Sequence, residues 1–322
     1  MLFKSFAPFV ALLSAVSAAP LQLTCQVAGD SDDTPVGAAN NTEYSVVDCS
    51  TFLTGAFDTF SCHNTTAIPE TDSCCFENWG VLMQTQFWDY NSSYLSIVTS
   101  ADNDTLHQLE AEIQANVANN PTGQVFTIHG LWNDLCDGSY NQYCNPSLEI
   151  NDDKDNITHV IVDVFGETEL FNKMAKYWLN NEKSNVNNAG SIDLWEHEYN
   201  KHGTCMNTLL PKCFTGKYTK FENTVSFYKK VVELWENYST YQFLQQFGIT
   251  PTLLKQYKLS DVQTALAQAN NGKQVYVGCL KGAIDEIWYY NNLKGNVLTG
   301  EYQAIDSLTP STCGEYVWYL PK

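Results

Sequence analysis

The sequence predicts an α+β fold held together by disulfide bonds, and three observations favour this class. Segments with helical and strand patterning are mixed along the chain without regular βαβ alternation, which argues against a parallel wound sheet. Eleven cysteines are present. The chain of 322 residues is also long enough to bury a large core.

Three segments have the apolar spacing of amphipathic helices. Residues 104–119 place apolar side chains three or four residues apart and end at Asn-Asn-Pro. Residues 221–236 repeat this spacing. Residues 260–270 begin with Ser260 and Gln263, the spacing of a capping box.

Three segments have strand patterning. Residues 124–132 indicate a buried strand that runs into a loop, and residues 274–282 and 283–292 indicate two strands joined around Gly282. The Asn-rich residues 180–190 indicate a surface loop.

The first eighteen residues predict a cleaved signal peptide. They combine an early Lys4 with an apolar centre and small residues at Val16 and Ala18. Residues 19–45 are polar and non-periodic, so we expect a flexible segment, followed by a catalytic domain over residues 46–322. No later segment reaches membrane-spanning length. We therefore expect a protein of the secreted or vacuolar lumen with no membrane partner.

Cysteines and sequons agree with a secretory route, where disulfides form. The neighbours Cys74 and Cys75 are expected to bond to different parts of the chain, and the odd count leaves one thiol over, for which Cys25 is the candidate. Six sequons predict exposed, glycosylated loops, at Asn40, Asn64, Asn91, Asn103, Asn156 and Asn237.

The charge balance speaks against long-range attraction to a polyanion near neutral pH. The formal net charge is −19, and no Lys or Arg lies between Lys4 and Lys154. Because the sequence pI is about 4.5, this repulsion would largely vanish in an acidic compartment.

The segment WEHEYNKHGTC (195–205) predicts a helix, with Ser191 or Asp193 capping its start and Gly203 at its end. At 100° per residue, four polar groups share one face: His197, Glu198, Lys201 and His202. The segment resembles the zinc signature H-E-x-x-H, but its histidines are five residues apart and diverge instead of converging on a metal. A solvated charged face is the plain alternative.

The segment FTIHGLWNDLC (126–136) ends an apolar strand with His129 and Gly130. A histidine in this place is either a hydrogen-bonded core residue or an imidazole presented by a rigid scaffold. Two imidazoles with a cation and an acid can perform phosphoryl transfer without a metal, since one accepts and one donates a proton. RNA supplies the nucleophile through its 2′-hydroxyl.

Together, FTIHGLWND and LWEHEYNKHGTC resemble the two active-site segments of the RNase T2 family, the acid ribonucleases of secretory and vacuolar compartments. Ten cysteines resemble the pattern of its fungal branch. The resemblance covers residue 46 to the C-terminus and implies an α+β fold with a central, mostly antiparallel sheet. It also implies five disulfides: Cys49–Cys75, Cys62–Cys136, Cys74–Cys213, Cys144–Cys205 and Cys279–Cys313.

The resemblance further implies roles for single residues. His202 is the expected general base and His129 the general acid, while His197 binds phosphate. Glu198 and Lys201 are expected to stabilise the pentacovalent transition state. Three residues are expected to hold the base of single-stranded RNA: Trp132, Asp134 and Tyr140.

Two residues depart from the family pattern. Asn133 stands where many relatives have proline, and Leu194 stands where some fungal relatives carry an aromatic residue that contributes to base binding. The base preference is therefore open.

The sequence thus predicts an endoribonuclease that forms 2′,3′-cyclic phosphates and then 3′-phosphates, with little base specificity and an acidic optimum. We expect a monomer with RNA as its partner and with no cofactor or metal. The rival hypotheses are a non-enzymatic secreted glycoprotein on the same scaffold and a zinc hydrolase.

Overall fold

The structure is a computed structural model that describes residues 43–63, 73–77, 80–120, 122–180 and 190–322. The predicted signal peptide, most of the predicted flexible segment, and Cys25 lie outside these residues. The sequons at Asn40 and Asn64 and most of the predicted loop 180–190 also lie outside them.

Helices account for much of the described chain. In chain order they are α1 (Tyr94–Ser100), α2 (Asn103–Asn116), α3 (Asp152–Asp155), α4 (Ile157–His159), α5 (Thr168–Tyr177), α6 (Ser191–Lys201), α7 (Glu222–Asn237), α8 (Thr240–Gln246) and α9 (Leu259–Ala269). The three segments predicted from apolar spacing are helical, as α2, α7 and α9. The last turn of the first one differs, because Val117–Asn119 tightens into a 3₁₀ turn.

Strands form one main antiparallel sheet and a short pair. The main sheet has the order β2 (Thr127–Asp134), β1 (Val81–Phe87), β5 (Ala283–Lys294) and β4 (Tyr276–Leu280), and β6 (Glu301–Ala304) also pairs with β5. The pair consists of β3 (Tyr257–Lys258) and β7 (Tyr316–Val317). The α+β class with an antiparallel sheet is confirmed.

Strand β2 contains a bulge at His129. Thr85 of β1 pairs with Gly130 while Gln86 pairs with Ile128, so His129 has no partner in the register. An uninterrupted strand would place Ile128 and Leu131 on opposite faces. Here both residues join the same core cluster, because the extra residue breaks the alternation.

Of the three buried clusters in the described chain, two pack the sheet against helices. One joins Ile128 and Leu131 to apolar residues of α5, α6 and α7, among them Met174, Leu194 and Val231. The other packs residues of β5, including Ile287 and Tyr289, with α2, α8 and α9. The strand carrying His129 and the helix carrying His197 therefore belong to one packed unit.

Five disulfides tie the described chain together: Cys49–Cys75, Cys62–Cys136, Cys74–Cys213, Cys144–Cys205 and Cys279–Cys313. The pairing is the one that the resemblance implies. The neighbours Cys74 and Cys75 bond to different segments, as expected from their adjacency.

Tyr44 and Ser45, which precede the predicted domain boundary at residue 46, contact the rest of the described chain. The Tyr44 hydroxyl donates to Glu233 Oε2 over 2.8 Å, and Thr215 N donates to the Ser45 carbonyl over 2.9 Å. These bonds attach the last residues of the predicted flexible segment to α7 and to the chain after Cys213.

Two predicted helix caps are wrong. Helix α9 starts at Leu259, with Lys258 at the N-cap, so Ser260 lies inside the helix. The Leu259 amide instead donates to the Glu315 carbonyl over 2.9 Å, which satisfies one of the free N–H groups of the helix start. Helix α6 is capped by Gly190, and neither Ser191 nor Asp193 caps it.

Gly203 follows the end of α6, but not for the predicted reason of a left-handed cap. It opens a 3₁₀ turn, and an added Cβ would lie 2.6 Å from a ring carbon of Tyr199. The glycine is required for space between the turn and the core.

The four sequon asparagines that the structure describes are exposed: Asn91, Asn103, Asn156 and Asn237. Within the described residues, no helix combines the length and the apolar character needed to cross a membrane.

Candidate active site

The five catalytic candidates meet where the bulge of β2 faces the C-terminal half of α6. His129 comes from the bulge, and His197, Glu198 and Lys201 come from the helix, with His202 directly after it. The His129 Nε2 atom lies 3.4 Å from Glu198 Oε1, and Lys201 Nζ lies 5.8 Å from the ring centre of Trp132. One strand and one helix therefore build the centre.

Two tryptophans hold the bulge against the helix. Trp178 Nε1 donates to the His129 carbonyl over 2.7 Å, and Trp195 Nε1, on α6, donates to the Trp178 carbonyl over 2.8 Å. The bulged carbonyl, which has lost a regular strand position, thus gains a buried donor.

Gly130 makes room for Glu198. A Cβ at this position would collide with the Glu198 carboxylate, whose side chain is fully buried. The glycine next to His129 therefore allows the acid of α6 to lie directly against β2. The sequence indicated that the strand ends at His129 and Gly130, but β2 continues to Asp134.

His129 is held in its charged form. Burial alone would lower its pKa, but the carboxylates of Glu198 and Glu286 outweigh burial and raise the pKa to about 9. For Glu198, burial alone would raise the pKa, but the positive charge of His129 outweighs burial and lowers the pKa to about 2. The two residues form an ion pair in the slightly acidic to neutral range.

His202 has the opposite character. Only 3% of it is exposed, and among the described residues neither ring nitrogen has a hydrogen-bond partner. The ring of Trp132 stacks on it at 5.3 Å and 15°. Burial outweighs the attraction of Glu198 and lowers the pKa of His202 to about 3, so this imidazole is neutral at pH 5.

Two groups whose pKa values are pushed apart in this way can serve as acid and base together. A protonated His129 can donate a proton. A neutral His202 can accept one. The geometry therefore supports the division that the resemblance implied.

His197 is oriented by Tyr143. The Tyr143 hydroxyl lies 3.1 Å from His197 Nδ1, and Tyr143 N donates to the Lys201 carbonyl over 3.0 Å. Tyr143 has a φ of 52°, in the left-handed region, and the Cys144–Cys205 bridge fixes the next residue to the end of the site. Burial lowers the pKa of His197.

The three base-binding candidates have different surroundings. Trp132 lies inside the centre, and its Nε1 donates to Glu198 Oε2 over 2.8 Å. Asp134 ends β2, and burial raises its pKa to about 7. Tyr140 is 60% exposed, and none of the ring contacts found in the described chain joins it to Trp132.

The two departures from the family pattern are both buried. Asn133 is 0% exposed, and neither atom of its amide has a hydrogen-bond partner in the described part of the chain. Leu194 is 1% exposed and belongs to the core between α6 and the sheet.

Three residues of the site were not predicted from the sequence: Tyr143, Glu286 and Trp288. Glu286 Oε1 lies 3.5 Å from His129 Nδ1, and Trp288 contacts the ring of Trp132 at 5.0 Å. Residues 283–292 show only strand alternation. A Glu and a Trp two positions apart on one strand face were the available sign.

Of the residues that the structure describes, no three His, Cys, Asp or Glu side chains form a group that could hold a metal ion. His129 and His202 instead face Glu198 and Trp132.

Comparison with known proteins shows the family of the chain. The sequence profile of the Ribonuclease T2 family matches residues 79–307, which include both active-site segments. Ribonuclease T2 of Aspergillus oryzae is 41% identical over 265 residues, 82% of this chain and 82% of the relative. Ribonuclease M of Aspergillus phoenicis is 39% identical over 252 residues, 78% of this chain and 91% of the relative.

A solved structure is also similar to this chain. The crystal structure of Actibind, described as a T2 ribonuclease, has 35% sequence identity and a TM-score of 0.65, and the match covers 82% of this chain and 95% of that one. The matched profile, the identities over most of each relative, and the shared fold all lead to one conclusion: the chain belongs to the Ribonuclease T2 family.

Proposed function

We propose that this chain is an endoribonuclease that cleaves single-stranded RNA by transphosphorylation, with little base specificity and an acidic optimum. One observation carries the proposal: a protonated His129, paired with Glu198, and a neutral His202, stacked on Trp132, lie in one centre, which matches the needs of acid–base cleavage. The names of the relatives, Ribonuclease T2 and Ribonuclease M, support the substrate class.

In the first step, neutral His202 takes the proton of the 2′-hydroxyl. The 2′-oxygen then attacks the phosphorus, and the bond from phosphorus to the 5′-oxygen breaks. His129 gives its proton to that 5′-oxygen. The products are a 2′,3′-cyclic phosphate and a free 5′-hydroxyl.

In the second, slower step, the two histidines exchange roles. His129, now neutral, takes a proton from water, and the resulting hydroxide opens the cyclic phosphate. His202 returns its proton to the 2′-oxygen. The product is a 3′-phosphate, and both imidazoles regain their starting states.

Lys201 and His197 are the donors available to the phosphate oxygens. Lys201 stabilises the negative charge that develops in the pentacovalent transition state. Glu198 has a different part from the one that the resemblance implied. Because its pKa is lowered to about 2, it is ionised at pH 5 and adds no positive charge to the phosphate. It keeps His129 protonated and positions Trp132.

Base contacts come from Trp132 and Asp134, with Tyr140 at the exposed edge. An aromatic ring stacks on any base, which accounts for low base specificity. Because Trp132 covers His202 in the free structure, the indole shifts when a nucleoside enters. Asp134 is largely protonated at pH 5 and can then donate as well as accept a hydrogen bond.

An acidic optimum follows from several titrations. His202 is neutral above its pKa of about 3, and His129 is protonated below its pKa of about 9. Near neutrality Asp134 ionises. The chain, with a formal charge of −19 at pH 7, then repels RNA more strongly. Cleavage should therefore be faster at pH 5 than at pH 8.

The proposed compartment is the secreted or vacuolar lumen. Five disulfides, the predicted signal peptide and the four exposed sequons support it. We also propose that the protein acts as a monomer without a metal or a cofactor.

The test is to incubate purified protein with RNA at pH 5, with and without EDTA, and to identify the ends. The proposal expects 2′,3′-cyclic phosphate ends that persist in EDTA. Loss of cleavage in EDTA would favour the zinc hydrolase. Absence of cleavage at every pH would favour the non-enzymatic glycoprotein.

A further inference from the structure

Glu286 is a second carboxylate at His129, on the opposite ring nitrogen from Glu198. Its Oε1 lies 3.5 Å from His129 Nδ1, while Glu198 Oε1 lies 3.4 Å from His129 Nε2. The side chains of His129 and Glu286 are only 15% and 21% exposed. The imidazole therefore lies at ion-pair distance from two acids of different elements, and its buried Nδ1 makes no hydrogen bond within the described chain. Glu286 thus acts on Nδ1 through its charge.

Strand pairing fixes Glu286 in this place. On β5 it pairs with Phe87 of β1, and the Phe87 ring stacks on the His129 ring at 3.8 Å and 20°. The other carboxylate oxygen, Oε2, accepts a hydrogen bond from Trp288 Nε1 over 2.9 Å. Ring and carboxylate are thus both oriented before any substrate binds.

We propose that Glu286 is a positioning residue for the general acid: it holds the Nδ1 proton of His129, so that Nε2 is the nitrogen that serves the leaving 5′-oxygen. The inference rests on the proposed function and names a further residue of the same site.

The two acids have different tasks because they face different nitrogens. The phosphate must approach Nε2, where Glu198 already lies, so that contact is exchanged during each turnover. The contact at Nδ1 remains. When Nε2 gives its proton to the 5′-oxygen, the remaining proton stays on Nδ1 beside Glu286. The free Nε2 lone pair then faces the cyclic phosphate and can accept the proton of the attacking water.

The charges that surround His129 come from two sides. Glu198, His197 and His202 face it from the end of α6, and Glu286 faces it from β5. The two histidines oppose protonation of His129 when they are charged, while both carboxylates favour it. Removing the charge of Glu286 therefore lowers the pKa of His129.

The test compares Glu286→Gln with the wild-type full chain. The amide keeps the size and one acceptor but loses the charge. We expect the pKa of His129, followed by its ring ¹H NMR signal and assigned with His129→Gln, to fall by about one pH unit. The high-pH limb of kcat that His129 sets should move to lower pH by the same amount. Because the pKa then falls from about 9 to roughly 8, kcat should change little at pH 7 and fall roughly fivefold at pH 9, with little change in KM.

Two further variants complete the design. Glu315→Gln makes the same chemical change at an exposed residue far along the chain and should leave the His129 titration and the rate unchanged. Glu286→Asp keeps the charge and should retain most of the raised pKa. If Glu286→Gln does not fold, Glu286→Ala takes its place, because it also removes the charge and should lower the pKa of His129 by a similar amount.

An unchanged His129 titration in a folded Glu286→Gln or Glu286→Ala protein would overturn the inference, and Glu286 would then serve only to bind Trp288. The NMR titration needs no turnover. Its result is therefore separate from the fate of the proposed function, which fails only if wild-type protein yields no cyclic phosphate ends.

Discussion

At the scale of single residues, burial acts on two imidazoles with opposite results. His129 and His202 are both withdrawn from water, which disfavours the charged form of each. His129 remains protonated because carboxylates flank it on both nitrogens. His202 has no direct acceptor in the described chain and lies under Trp132, so it stays neutral. The neighbours, and not the residue type, decide which histidine donates.

Asp134 makes a residue-scale prediction about stability. Burial raises its pKa in the folded chain to about 7, well above the ordinary value near 4 of an unfolded chain. The folded state therefore binds more protons between these values. The stability that Asp134 contributes is complete below about pH 4 and is lost as the pH rises through about 7.

Asp134→Asn should therefore stabilise the protein more at pH 7.5 than at pH 4.5. The difference should be on the order of 1 kcal/mol, less than the full pKa shift implies, because the side chain is partly exposed. Denaturant unfolding at both pH values measures it. Asp153→Asn, at an exposed position of α3, is the control. If Asp134→Asn changed the free energy of unfolding equally at both pH values, that result would contradict the raised pKa of Asp134.

At the scale of elements, Gly130 allows the bulge of β2 to lie directly against Glu198 of helix α6. Gly130→Ala would push a methyl group into the buried carboxylate of Glu198. Because neither the strand nor the helix can move without disturbing the core, we expect a loss of ~1–3 kcal/mol in stability. Activity should fall at least ~10²-fold, since small misplacements of catalytic groups are costly.

The measurement is thermal unfolding together with kcat/KM. Gly314→Ala is the matched control, because its added Cβ would make only an ordinary contact of 3.8 Å with a carbonyl oxygen. If both variants kept the same thermal stability and kcat/KM, the position of Glu198 would not depend on the space beside Gly130.

The elements also show how far the sequence could predict the structure. Apolar spacing located α2, α7 and α9, because helical periodicity is a local property. The bulge at His129 depends on which residues of β1 lie opposite, so local patterning could not reveal it. The predicted start of α9 was wrong for a similar reason, because the distant carbonyl of Glu315 accepts a hydrogen bond from the first amide of the helix.

The residues of the site also differ in whether local sequence could reveal them. Two short motifs contain His129, His197, Glu198, Lys201 and His202 and were readable from the sequence. Glu286 reaches His129 only through the pairing of β5 with β1. The only local sign was its spacing of two residues from Trp288 on one strand face, and such a spacing occurs in any alternating strand.

At the scale of the whole molecule, the charge opposes the substrate. The chain has 17 basic and 36 acidic residues, and RNA is a polyanion. Lys201 attracts the phosphate only at close range, while the remaining acids repel it over distances that salt can screen.

Salt should therefore help this enzyme near neutrality. Raising the ionic strength from ~0.02 to ~0.2 M should increase kcat/KM for long RNA severalfold at pH 7.5 and much less at pH 4.5, where carboxylates are partly neutral. A dinucleoside monophosphate, with one charge, should show a smaller effect. A steep decrease of kcat/KM with salt at pH 7.5 would contradict this account of the molecular charge.

In the proposed mechanism, His129 protonates the leaving oxygen while His202 deprotonates the 2′-hydroxyl. The most direct measurement uses RNA whose 5′-bridging oxygen is replaced by sulfur, because a thiolate leaves without a proton. On ordinary RNA at pH 5, His129→Ala and His202→Ala should each lose at least ~10²-fold in rate. On the sulfur substrate, His129→Ala should recover most of its rate and His202→Ala should not. Recovery by His202→Ala, or by neither variant, would contradict the assignment.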